Sequence, residues 1–535
     1  MSAFDLVLRK LMVRRLYLDT EADQRIRFWD LRLSSRTTYC QWKNQLMGPI
    51  KDELGVEQGG PNSSEFYKIY NNEQLTSAQL SGFGATVGNE EIAAIGQADD
   101  TVLVSNDIYQ LQHLIQLTLS YCAKYQVKLS AGKTKLLVFC NEKSDYIKYT
   151  SCINPIQIGD TKVDFVTNAE HVGILRSTTG NLPHILKRIT SHRNTLGGIL
   201  SMGMSRRHRA NPLSSLRTES IYASPVLFSG LASLILSKNE TDAVAHHVKE
   251  TLQNLMKLHS LTPDPVIYFL SGVLPGEATL HLKQLTIFGM ICRLPNNILH
   301  RVAQQKLIAA PQSEKNWFAQ IRDLCFKYDL PHPLLLLSQE PSKGSFKSLI
   351  KAKVTDYWQT SLRDHAASLK SLKYFKPAYM SLNHPHPMWS IAVDSYTVNK
   401  TVTVARLLSG RYRCGSLLRH FSPSNSGLCD LCNLEVETIE HFILPRCPGL
   451  LNRKNALLLY AREKLATNVT ASKIFEDAIS CKNEERFMQL ILDPTVCPDV
   501  IAANGKDETI LSILLTISAT WCYSMHRRRS QYKAK

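Results

Sequence analysis

The stretch Ile92-Ala-Ala-Ile95-Gly-Gln97-Ala98-Asp99-Asp100-Thr101-Val-Leu-Val104 decides the fold. Two short apolar, strand-like runs flank a pair of adjacent carboxylates. Like charges side by side at a tight turn repel, and a divalent cation is the usual remedy, although a solvated turn would carry the same residues. Downstream, Ser105-Asn106-Asp107 supplies helix-cap chemistry. Ile108, Leu111, Leu114, Ile115 and Cys122 then fall on one helical face, and Leu136-Leu-Val-Phe139 reads as a further strand. The order hairpin, helix, strand predicts an α+β fold with the acid pair at the tip of the hairpin.

Two other blocks keep company with the acid pair. Upstream lies Gly55-Val-Glu-Gln58-Gly59-Gly-Pro-Asn-Ser63-Ser64-Glu-Phe66-Tyr, and downstream Leu129-Ser-Ala-Gly-Lys133-Thr134-Lys135. In this order they resemble the reverse transcriptases of non-LTR (LINE-type) retrotransposons, which are RNA-directed DNA polymerases. The resemblance implies a partial right-hand palm, ferredoxin-like in its hairpin, helix and strand, followed by a helical thumb. It implies RNA-templated DNA synthesis with two Mg2+ ions held by Asp99 and Asp100, and Lys133 as proton donor to departing pyrophosphate. Phe4, Gln58 and Gly59 would meet the template or the incoming nucleotide. The implied partners are an RNA template, a DNA primer or target, and deoxynucleoside triphosphates. Two positions depart from the family pattern: Gln97 stands in place of an aromatic residue, and so does His171 in the primer-gripping block His171-Val-Gly173-Ile.

Two-metal chemistry needs carboxylates from separate strands, and a turn carrying both acids builds one wall of the clamp. In the family the other wall is an Asp five residues before an aromatic steric gate. The chain opens Met1-Ser-Ala-Phe4-Asp5, which makes Phe4 the gate and puts that Asp before residue 1. Asp5 reads as an acid favoured by the N-terminus of a helix with Val7, Leu8, Leu11 and Met12 on its apolar face. The expectation is a palm without fingers or first strand, and impaired synthesis in this chain. The competing reading is a non-enzymatic nucleic-acid-binding protein derived from a retroelement.

Sixty-three Lys and Arg against 46 Asp and Glu give a net charge of +17 over 535 residues, which suits a polyanionic partner. Basic clusters recur at Arg14-Arg15, Arg206-Arg207-His208-Arg209, Arg411-Tyr412-Arg413 and His526-Arg527-Arg528-Arg529. A second constellation, Cys429-Asp-Leu-Cys432 followed by His441 and Cys447, has the spacing of a closed, structural Zn2+ site; the alternative is a set of buried thiols. It is similar to the zinc-binding region C-terminal to the polymerase in such elements. Thirteen cysteines without a secretory signal predict reduced thiols in an intracellular protein of nucleus or cytoplasm.

The domain expectation follows. Residues 1–145 form the incomplete palm, 146–200 a primer-grip-like hairpin and the start of the thumb, 201–400 a helical thumb and connector, 401–460 the zinc-binding region, and 461–535 C-terminal helices. Pro331-His-Pro333 and His384-Pro385-His386-Pro387 read as extended linkers. The uncharged run Thr509–Met525 is rich in Ser and Thr, so a helix packed on the zinc region is expected and a membrane span is not. Oligomeric state is not legible.

Overall fold

The acid stretch folds as the antiparallel hairpin β5 (Ala94–Gln97) and β6 (Asp100–Leu103), paired from Ala94 opposite Leu103 to Gln97 opposite Asp100. The structure is a computed structural model and describes residues 6–19, 23–34, 37–51, 54–57, 60, 62–127, 129–130, 132–140, 156–158, 161–201, 211–309, 316–421, 426–444, 446–480 and 483–533. The chain divides into two units, Met1–His184 with Leu294–Glu314, and Ile185–Arg293 with Lys315–Lys535. The first mixes helices with short strands and the second is helical, an α+β protein as the sequence predicts.

In the first unit, α1 (Arg9–Asp19) and α2 (Asp23–Ser34) precede a ribbon of β1 (Thr37–Trp42) and β2 (Gln45–Lys51). Then come α3 (Ser63–Gln79), the hairpin of β3 (Ala85–Val87) and β4 (Glu90–Ile92), the acid hairpin, and α4 (Ile108–Tyr125). On α3 the buried positions Phe66, Tyr67, Tyr70, Asn71, Gln74 and Ala78 recur at helical spacing. On α4 they are Leu114, Thr118, Tyr121, Cys122 and Tyr125. Phe66, Tyr67, Tyr70, Tyr121, Cys122 and Tyr125 meet Val7, Met12, Leu16, Ile26 and Leu33 in one core, while Ala78 and Leu114 pack with Ala93 in a second, smaller one. Asp107 caps α4 by accepting the Tyr109 and Gln110 amides at 2.7 and 3.1 Å, and Gln126 ends it in the left-handed region at φ 55°.

Arg9 is buried and ties three segments together. Its Nε donates to the Gly55 carbonyl at 2.6 Å, Nη1 to Leu33 at 2.9 Å and Nη2 to Leu54 at 2.8 Å. No pattern in the sequence distinguishes this arginine from the solvated ones around it.

The strand expected over Leu136–Phe139 is corrected. Only Lys135–Leu136 (β7) forms a ladder, and it pairs in parallel with β10 (Asp164–Phe165), not with the acid hairpin. The partner is short because the preceding Val163 amide turns back to the Ile156 carbonyl, beside the small hairpin of β8 (Gln157–Ile158) and β9 (Thr161–Lys162). The hairpin of β11 (Asn168–His171) and β12 (Ile174–Ser177) turns through Val172 and Gly173, both at positive φ, at 49° and 72°.

The second unit packs helix Gly276–Cys292 against helix Lys343–Ser368, closely enough that a Cβ on Gly289 would meet the Phe346 ring at 2.4 Å. The His-Pro segments are not linkers. His332 and His386 each accept a backbone amide two residues on through Nδ1, at 3.3 and 3.2 Å, and Pro333 and Pro387 start the helices they cap. His386 is also buried, with Nε2 at 3.3 Å from Asp493 and 3.1 Å from the Thr495 hydroxyl. Proline's fixed φ suits a first helical turn as well as an extended chain, and tertiary packing selects the former. Thr509–Lys533 is one helix, and no helix among the described residues is long and apolar enough to cross a membrane.

Candidate metal centres

The acid hairpin rests on one face of α3. Tyr67, Asn71 and Leu75 are spaced four apart and reach three successive parts of the hairpin. A Cβ on Gly96 would stand 2.9 Å from Leu75 Cδ1, so the glycine lets the Leu75 side chain rest close against the strand. Asn71 Nδ2 donates to the Ala98 carbonyl at 3.4 Å, holding a turn in which Ala98 takes φ 54°. Tyr67 is buried, and its phenol is pushed up by burial and then by the charge of Asp99.

Asp99 and Asp100 are both exposed, and neither forms an ion pair with a Lys or Arg among the described residues. Two adjacent, uncompensated carboxylates on a braced turn suit a hard divalent cation such as Mg2+. A third carboxylate does not join them among the described residues. Lys133 is exposed in the turn before β7, its amide bonded to the Ser130 carbonyl at 3.0 Å, without a hydrogen bond or ion pair to either acid. Phe4, Gln58 and Gly59 lie outside the described residues, as do Asp5 and the cluster Arg206-Arg207-His208-Arg209.

The second centre is closed. Ligand atoms of Cys429, Cys432, His441 and Cys447 all lie within 4.8 Å of one another. A tetrahedron with Zn–S of about 2.3 Å and Zn–N of about 2.05 Å has edges of about 3.8 Å between sulfurs and about 3.6 Å between sulfur and nitrogen. Cys429 and Cys447 Sγ stand 3.8 Å apart, and Cys432 Sγ is 3.4 Å from His441 Nε2. These two edges are close to those of a zinc tetrahedron.

Local structure brings the ligands there. The Cys432 and Asn433 amides turn back to the Cys429 carbonyl at 3.3 and 2.7 Å, and Asn433 takes φ 52°. Thr438 caps the short helix Ile439–Ile443 that carries His441, accepting the His441 amide at 3.1 Å. His441 Nδ1 lies 3.0 Å from Glu435 Oε2; donation of that N–H leaves the Nε2 lone pair facing Cys432. Burial and the adjoining Cys429 sulfur push the Cys447 thiol up to about 12. Burial opposes ionisation of Cys432 too, but the Leu434 and Glu435 amides and the neighbouring thiols outweigh it and bring its pKa down. Three thiols packed this tightly cannot all ionise without a cation, so the donor set fits Zn2+.

Beside this centre a buried ion pair joins the C-terminal helix to the module. Arg529 Nη2 donates to Glu437 Oε2 at 2.7 Å and Nε to Oε1, while the same Oε2 accepts the Gly415 amide at 2.7 Å. Trp521 Nε1 donates to the Ile443 carbonyl at 3.2 Å. Arg529 is therefore a structural pin and not part of a solvated basic cluster, as its neighbours in sequence suggested.

Residues 10–165 match the family model for reverse transcriptase (RNA-dependent DNA polymerase). The matched span holds the acid hairpin, its α3 support and Lys133, and ends at β10. No curated protein matches the chain.

Proposed function

We propose that the first unit is the palm of a non-LTR retrotransposon-type reverse transcriptase, and that the Cys3His cluster of the second is a structural zinc site. The coincidence of the reverse transcriptase match with a braced, uncompensated acid pair carries the reading. When bound, two Mg2+ ions supply charge neutralisation at the triphosphate and activation of the attacking 3′-hydroxyl. Asp99 and Asp100 hold one side of that ion pair, Asn71 and Gly96 fix their turn on α3, and Lys133 donates a proton toward departing pyrophosphate. The β11–β12 hairpin takes the place of a primer grip. By resemblance Phe4, Gln58 and Gly59 are the residues that would meet the incoming nucleotide or the template. RNA template, DNA primer and deoxynucleoside triphosphates are the partners.

A second reading is favoured by one observation: no third carboxylate joins Asp99 and Asp100 among the described residues. One wall of a clamp leaves several kcal/mol of transition-state stabilisation unrealised, which slows synthesis by orders of magnitude. The chain would then act through nucleic-acid binding alone. Primer extension on an RNA template separates the readings. Magnesium-dependent synthesis abolished by Asp99→Ala or Asp100→Ala supports the enzyme, and synthesis no greater than that of Asp99→Ala supports the binding protein.

A further inference from the structure

Two basic clusters more than 100 residues apart in the sequence converge in the second unit. Arg529 Nη2 donates to the Arg413 carbonyl at 2.6 Å, so the end of the last helix lies against the turn Arg411-Tyr412-Arg413. Arg413 in turn places Nη2 3.4 Å from His259 Nε2, which adds a third segment. Arg413, Arg527 and Arg528 are exposed, whereas Arg529 is buried and consumed by Glu437. The segments 256–261, 409–414 and 525–531 contain no acidic residue.

From this basic end a row of rings leads away. Tyr412 OH bonds His526 Nδ1 at 2.8 Å with ring centroids 5.8 Å apart; His526 is 6.3 Å from Tyr523, and Tyr523 is 5.7 Å from Tyr396. Tyr396 is 51% exposed and carries the Lys400 ammonium 4.3 Å from its ring centre. The acid nearest to it in sequence, Asp394, is occupied as the cap of helix Ser395–Leu408 and accepts the Tyr396 and Thr397 amides at 2.8 Å. The surface thus offers guanidinium groups with no carboxylate partner among the described residues at one end and an exposed aromatic ring beside an ammonium at the other.

We propose that this face is a single-stranded nucleic-acid-binding surface, with Arg413, Arg527 and Arg528 on phosphates and Tyr396 and Tyr523 as a platform for bases. Cations alone would attract any polyanion, but a ring platform in line with them favours unpaired bases, because every base has a face to stack and a duplex hides it. The surface lies apart from the acid hairpin in sequence and in unit, and the inference stands without the polymerase reading.

The test uses the full, zinc-loaded chain and an oligo-uridine RNA of about 15 nucleotides. The triple variant Arg413→Ala/Arg527→Ala/Arg528→Ala should weaken binding and reduce the salt slope by about 2, at about 0.7 per phosphate contact on a single strand. Tyr396→Ala should weaken binding about tenfold and leave the salt slope alone. Zinc content reports that the fold survives. Arg527→Glu/Arg528→Glu, at an exposed helix end, serves if the triple variant does not fold. Unchanged affinity in the arginine variants overturns the proposal. So does a loss that is equal for RNA and for phosphatidylserine vesicles with no effect of Tyr396→Ala, since that describes general attraction of anions. An Asp99→Ala variant that loses synthesis but keeps this binding separates the failure of one reading from the failure of the other.

Discussion

Glu437→Ala is the sharpest test of how the Cys3His module is held. The carboxylate is buried, accepts two donors from the buried Arg529 and one from the Gly415 amide, and contacts no solvent that could replace them. Truncation leaves the guanidinium with the Arg413 carbonyl and the Tyr412 ring, 5.5 Å away, as its compensation. Breaking one side of a buried pair costs about 3 to 5 kcal/mol because the other charge stays buried and unpaired. A loss of that size would raise the local opening of the module and the C-terminal helix by roughly two to three and a half powers of ten. Amide hydrogen exchange over residues 411–417, 436–444 and 509–531 reads this directly. Glu437→Gln should lose less, since its amide oxygen still accepts one donor. The double variant Glu437→Met/Arg529→Met should recover much of the loss, because apolar side chains of similar size remove both charges together. Protection reduced by less than about 1 kcal/mol in Glu437→Ala would refute the argument that this pair pins the helix.

Three further outcomes follow from particular contacts. Elemental analysis should find about one zinc per chain, lost in Cys432→Ser or His441→Ala, whereas Glu435→Ala should retain the site at about 10- to 100-fold weaker affinity; equal zinc in all variants would remove the centre from consideration. Burial, then Lys327, holds His281 down at about 3, and burial, then His192 and Arg193, holds His247 down at about 4, from an ordinary 6.5. The unfolded chain therefore binds protons below pH 6.5 that the fold refuses, and the second unit should lose stability as pH falls from 6.5 toward 4; a denaturation midpoint flat over that window would contradict it. Gly96→Ala should destabilise the acid hairpin by about 1 kcal/mol at most, because the flexible end of Leu75 can give way to the added Cβ, read as modestly faster amide exchange at residues 94–103.

The hairpin was legible because its two apolar runs and its cap residue, Asp107, are local signals, and the pairing of Gln97 with Asp100 follows from a two-residue turn. The Cys3His cluster was legible for the same reason: two residues separate Cys429 from Cys432, and His441 and Cys447 come from the next segment. What escaped depends on contacts distant in sequence. Tyr121 and Tyr125 are ordinary helical residues until Tyr70 lies across them. Arg9 and Arg529 look like surface arginines until carbonyls and a buried glutamate surround them. The His-Pro pairs looked like linkers because proline permits an extended chain and a first helical turn alike. The ribbon of β1 and β2 was not anticipated either; it leaves Trp42, Leu46 and Met47 exposed, without the alternation that marks a strand with one buried face.

The two candidate metal centres differ in how far the protein alone prepares them, and the difference follows from their chemistry. A soft, closed tetrahedron can be assembled in advance: thiols pack at 3.4 to 3.8 Å from sulfur or imidazole nitrogen without charge repulsion, and the thiols lose their protons as the cation arrives. Carboxylates are charged at neutral pH, so Asp99 and Asp100 cannot be brought together in a dry site without their cation and stand exposed on a turn. What the fold supplies there is position, through Leu75 against Gly96 and Asn71 on the Ala98 carbonyl. Preparation in the closed Cys3His centre therefore resides in the ligands, and in the acid centre it resides in the helix beneath them. Loss of the α3 contacts should accordingly loosen the acid turn while leaving both acids in place, a smaller effect than loss of an acid, while the Cys3His centre tolerates changes in any residue that neither belongs to it nor orients one of its members.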